Sequence, residues 1–107
     1  MANEFIPTAS VTPELIEKWK QQYGAVAKLT VKENGETKTV YVRNPTNKEI
    51  DYAAVNLTSG AYIQYGITLF NTCQLAGDKI TTDAGLRSVG QKMSALIETT
   101  EVELEKL

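Results

Sequence analysis

Apolar and polar residues alternate along both halves of the stretch AVAKLTVKENGETKTVYVR, which turns about Asn34 and Gly35. A period of two is that of a strand with one face turned to a core, and Asn-Gly is the pair best suited to the positive φ angles of a type I′ hairpin turn. With those residues as the loop, Glu33 stands opposite Glu36 and Lys32 opposite Thr37. The register continues with Val31 opposite Lys38, Leu29 opposite Val40 and Ala27 opposite Val42. These last pairs share one face, so the apolar residues of both strands gather there, while Lys28, Thr30, Thr39, Tyr41 and Arg43 share the other. Strands over about 26–32 and 38–43 are expected.

On either side of this hairpin the period changes to that of helices. In VTPELIEKWKQQYG, Thr12 can cap, Pro13 suits the first helical position and Glu14 favours the positive end of the helix dipole. Leu15, Ile16, Trp19 and Tyr23 then lie along one side until Gly24 stops the helix, and Trp19 is expected in the core. After the hairpin, Pro45 cannot donate to a ladder and ends the strand. Thr46 and Glu49 have the spacing of a capping box, and Ile50, Ala53, Ala54 and Leu57 continue a helix over about 46–57. A second helix over about 60–75 carries Tyr62, Tyr65, Leu69, Phe70 and Cys73 at steps of three and four. Gly66 inside it calls for a closely packed neighbour or weakens it. A last helix over about 83–106, loosened near Thr99 and Thr100, follows from Thr82-Asp83 and the spacing of Leu86, Val89, Met93, Leu96, Ile97, Leu104 and Leu107. The fold class is therefore α+β: an N-terminal helix, a two-stranded antiparallel hairpin, then a bundle of about three helices. A lone hairpin is marginal in water, so its apolar face must rest on those helices or pair with another chain's edge.

Length and composition narrow the class further. One domain over residues 1–107 is expected, with 1–11 as a candidate flexible N-terminal arm. The hydrophobic share of 42% and charged share of 22% are those of a globular protein that folds without metal or disulfide. A formal net charge of -2, with basic residues scattered along the chain, argues against nucleic acid as a partner. Glu98, Glu101, Glu103 and Glu105 against Lys106 make the stretch ETTEVELEKL locally acidic, which reads as a solvated helix face or as a docking surface for a basic partner. A single cysteine, no secretory signal and no long apolar run point to a reducing compartment and away from a membrane.

The chain contains no histidine. That removes Ser–His and Cys–His nucleophile pairs, the commonest general acid–base residue and the commonest transition-metal ligand. Cys73 lies in an apolar helical stretch and reads as a buried structural thiol. Asp78 and Asp83 flank KITT without the further oxygen ligands a calcium loop needs, and GDKITTDAG lacks the ending of a phosphate loop. No catalytic, cofactor-binding or metal-binding residues are assigned. Tyr52, Tyr62 and Tyr65, with Arg43, form the candidate interaction surface, because tyrosine serves protein interfaces well.

A strand leading to Arg43, then Pro45, Thr46, Lys48, Glu49 and Ala53, followed by a helix ending in Cys73, Leu75 and the Gly77-Asp78 turn, resembles small tailed-phage proteins of the tail assembly chaperone type. Asn47 and Gln74 depart from the pattern, which has a basic residue and an aromatic there. The resemblance covers nearly the whole chain. It implies a non-enzymatic phage protein in the host cytoplasm that binds a tape-measure or tail-tube partner, with no cofactor, and with a homo-oligomer as a further candidate state. The alternative it leaves open is a structural virion component, such as a tail completion or head–tail connector protein.

Overall fold

The computed structural model describes residues 7–97 and 102–107. After a 3-10 turn at Thr8–Ser10, helix α1 spans Pro13–Tyr23, with the Thr12 hydroxyl accepting from the Leu15 N–H at its start and Gly24 at its end. Strands β1 (Val26–Glu33) and β2 (Glu36–Arg43) form the hairpin in the expected register, from Glu33 opposite Glu36 to Val26 opposite Arg43. Asn34 and Gly35 have φ of 53° and 78°, as the two-residue turn requires.

Helix α2 spans Asn47–Thr58 behind a complete capping box: Thr46 Oγ1 accepts from the Glu49 N–H, and the Glu49 carboxylate accepts from the Thr46 N–H. Helix α3 spans Tyr62–Cys73, shorter than the sequence suggests. Gln74 to Gly77, expected as the helix end and the turn beyond it, form strand β3, which pairs antiparallel with β2. The sheet is three-stranded in the order β1-β2-β3. The hairpin finds its further partner within the chain, and β2 becomes the central strand. Ala76 lies opposite Tyr41 and Gln74 opposite Val42, so Leu75 is the extra residue of a bulge. Gly77 has φ of 111°, and a Cβ there would press on the Thr39 backbone and stand 2.7 Å from Val40 Cα. Glycine is what lets β3 approach β2 so closely.

Helix α4 spans Asp83–Met93 and passes into a 3-10 turn at Ser94–Leu96, so the expected continuation to residue 106 is not formed. Met93 is the last fully buried residue of the helix; beyond it Ser94 and Ala95 are exposed, Leu96 still packs partly against the core, and Leu104 and Leu107 are exposed. Residues 102–107 have no regular structure, and the loosening expected at Thr99 and Thr100 falls outside the described residues.

One face of the sheet, with Val31, Val40 and Val42, packs into a core with Leu69, Phe70 and Cys73 of α3, Val89 and Met93 of α4, Ala53 of α2 and Ile80. The other face carries α1: Trp19 is buried and its ring lies 6.2 Å from that of Tyr41, tilted by 47°. Gly66 and Gly90 bring α3 and α4 into backbone contact, since a Cβ on Gly66 would stand 2.8 Å from the Gly90 carbonyl oxygen. The closely packed neighbour that Gly66 calls for is therefore α4.

Gly66→Ala gains about 1 kcal/mol of helix propensity but forces this crossing apart. A net loss of about 1–3 kcal/mol, the usual cost of overpacking, is expected in the denaturant unfolding midpoint. An unchanged midpoint would mean that the two helices can separate freely.

Candidate functional site

A dense set of hydrogen bonds surrounds Glu33, which ends β1 on the same face as Val31 and is only 4% exposed. Its carboxylate accepts from Lys38 Nζ at 2.6 Å, from the Thr81 N–H and hydroxyl, and from the Thr82 N–H at 2.8 Å and hydroxyl at 2.6 Å. The Thr82 hydroxyl also accepts from the Gly85 N–H, capping α4. A Cβ on Gly85 would stand 2.5 Å from Glu33 Oε2, so glycine keeps the seat open. The Lys38 ammonium, followed by the Thr82 and Thr81 donors, holds the Glu33 carboxyl far below the usual carboxylate range, and the same hydrogen bond pushes the Lys38 ammonium up.

Sequence reasoning placed Glu33 opposite Glu36 and assigned it no role. One signal was present: Glu33 and Lys38 both stand on the apolar face of the hairpin, in phase with Val31 and Val40. A charged residue on a core-facing position requires partners. Lys38 is within the hairpin, but the other partners, Thr81 and Thr82, lie 48 and 49 residues further along the chain, out of reach of any local pattern.

A second carboxylate, Glu49, does the same for α2. Arg43 donates to it through both terminal nitrogens, at 2.7 and 2.8 Å. The same guanidinium reaches the Thr72 carbonyl at the end of α3 and stacks 5.0 Å from the centroid of the Tyr23 ring. Arg43, followed by the Thr46 N–H, lowers the Glu49 carboxyl to about 2. Arg43 was expected on the interaction surface, but its charge is consumed inside the chain by this fork-to-fork pair.

The other residues of the sequence motif also serve the fold. Thr46 joins Arg43 and Glu49 in the capping box, and Pro45 is buried beside it. Asp78 sits apart, opposite Thr39, where its carboxylate accepts from the Thr39 N–H and its own N–H donates to the Thr39 carbonyl. Cys73 is fully buried, and that burial pushes its thiol up to about 11, so it is no nucleophile at neutral pH. Among the described residues, no three His, Cys, Asp or Glu side chains come together in a group that could hold a metal ion. No described helix is long and apolar enough to cross a membrane.

Among the described residues, two surfaces set exposed or groove-lining apolar side chains beside an opening. Tyr52 is 71% exposed on α2, Val55 one turn on is also exposed, and Tyr62 is 73% exposed at the start of α3, where Ile63 is exposed too. Tyr52 and Val55, three residues apart on one helical stripe, line a shallow groove of about 220 Å³ with Asn56 and Thr68. Tyr65 does not join them; it is half-buried and packs against the core. The second surface is a groove of about 530 Å³ between the free edge of β1 and α4, flanked by Lys28, Lys32 and Lys92 and floored by Val89.

Both lowered carboxyls favour the charged form in the folded state. The stability they contribute is complete above the ordinary value of 4.5 and is lost as pH falls towards about 2 for Glu49, and lower still for Glu33. The thermal midpoint is therefore expected to be nearly flat above pH 5 and to fall steeply below about pH 4. Glu33→Gln should lower the midpoint at pH 7 and flatten the acid limb, since the folded state then no longer has that carboxylate to protonate. A variant with the original acid limb would show that Glu33 is not part of it.

Compared with protein-family models, with curated proteins and with solved structures, the chain matches none.

Proposed function

We propose that this chain is a non-enzymatic assembly protein that holds a helical partner on the outer face of α2 and α3, in the manner of the phage tail assembly chaperones its sequence resembles. The observation that carries this reading is the apolar stripe itself. Tyr52 and Val55 on α2 face solvent outside the core and share a groove that suits a side chain from the stripe of an amphipathic helix, and Tyr62 and Ile63 add exposed apolar area at the start of α3. The tape-measure protein as partner rests on the resemblance. The groups with shifted acidity also support a binding role over a catalytic one: Glu33 and Glu49 are each committed to holding a helix, and Cys73 is sealed in the core.

Burying an apolar side chain contributes about 1.5–3 kcal/mol, so replacing both Tyr52 and Val55 with Asp should weaken capture of the tape-measure protein from infected-cell lysate about a hundredfold or more. Because both positions are exposed, unfolding should shift by no more than about 0.5 kcal/mol per substitution. Quantitative mass spectrometry of lysate and of purified particles from the same culture tests the role. A chaperone is abundant in the lysate and missing from the particle. Fixed stoichiometry in the particle would identify a tail completion or head–tail connector protein and end the chaperone reading.

A further inference from the structure

We infer that the groove between β1 and α4 receives residues 102–107 of a second copy of this chain as an added strand. β1 is an edge strand of eight residues, paired on one side only. In a two-residue hairpin the residues flanking the turn exchange both backbone hydrogen bonds and the pattern alternates from there. The N–H and C=O groups of Lys28, Thr30 and Lys32 therefore point away from β2, into the opening that α4 floors. The side chains along this edge also alternate. Lys28, Thr30 and Lys32 form an exposed polar row, and Leu29 and Val31 an apolar one towards Val89.

The segment VELEKL carries the complementary pattern. Over residues 102–105, Val102 and Leu104 alternate with Glu103 and Glu105, so an extended backbone places two apolar side chains on one face and two carboxylates on the other; Lys106 and Leu107 break the alternation and end the matching stretch. A single choice of face sets Val102 and Leu104 over Leu29 and Val89 and brings the glutamates opposite or diagonal to Lys28 and Lys32. A six-residue strand spans roughly 20 Å, within the roughly 26 Å of β1. In the single chain this segment lies outside its own groove: Leu104 is 95% exposed and Leu107 fully so. Lysines on an edge strand discourage indiscriminate pairing, and an acidic, alternating strand is the kind they admit. Reciprocal insertion between two copies closes a two-fold dimer.

Sedimentation equilibrium of the full chain tests this. The full chain should self-associate, and deletion of residues 102–107 should leave a monomer whose unfolding midpoint equals that of the full chain diluted to its monomeric form. Lys28→Glu with Lys32→Glu should weaken association about tenfold, as should Glu103→Lys with Glu105→Lys, each effect shrinking in high salt. Mixing these two double variants should restore association, because both interfaces of the mixed dimer then pair opposite charges. A full chain that stays monomeric, or association that survives the deletion, overturns the proposal. So does a monomeric full chain whose deleted form binds the synthetic peptide VELEKL, since that places the segment in its own groove.

Discussion

Where β1 meets the start of α4, one carboxylate that is only 4% exposed is kept charged by its donors. An ionised acid under a sheet–helix seam is tolerated only when its lone pairs are filled, and Glu33 has Lys38 and the N–H and hydroxyl groups of Thr81 and Thr82 to fill them. Those threonines begin α4, so satisfying the charge fixes where that helix starts, at the end whose dipole favours an anion. From there α4 runs to the point where Gly90 meets Gly66, and α3 is pressed over the sheet. Thus the packing of two helices follows from one hydrogen-bonded acid at a strand end.

Glu49 and Arg43 repeat the device on the other side of the molecule. Their pair ties the end of β2 to the start of α2, and the same guanidinium takes in the end of α3 and the ring of Tyr23. Two helix starts are thereby fastened to two strand ends by charge, which frees the apolar residues to form a single cluster between them. Glu33, Glu49 and Arg43 are thus occupied in holding the chain together. What is left for a partner is shape, apolar area and a strand edge.

The hairpin was legible to the residue because two independent signals agree there: the Asn34-Gly35 turn and the alternation on both sides specify the same register. The limits of α1 were legible because Thr12, Pro13 and Gly24 act locally. Strand β3 was not, since Gln74 to Gly77 show no alternation and continue directly from a helix; they become a strand only because β2 offers an edge some 35 residues earlier in the chain. The overlong last helix has a related cause. Leu104 and Leu107 keep helical spacing, but spacing cannot tell whether a surface exists for them to cover. At the site, Tyr52 and Tyr62 were found as exposed tyrosines, whereas Arg43 and Tyr65 look the same in sequence and are claimed by Glu49 and the core.

The two open surfaces lie at opposite ends of one layer. On the α2–α4 side of the sheet α3 stands between α2 and α4, α2 packs on α3 and α4 runs beside β1, so the tyrosine-bearing face and the strand groove are separated by a helix. No residue lines both. The sheet is equally one-sided: its β3 edge is four residues long and bulged at Leu75, whereas its β1 edge runs straight for eight. A bulge twists an edge and shortens the ladder it can offer, so strand addition is confined to β1. Without shared side chains or a shared edge, the helical partner proposed for α2 and α3 would leave the β1 groove available to the second copy proposed there.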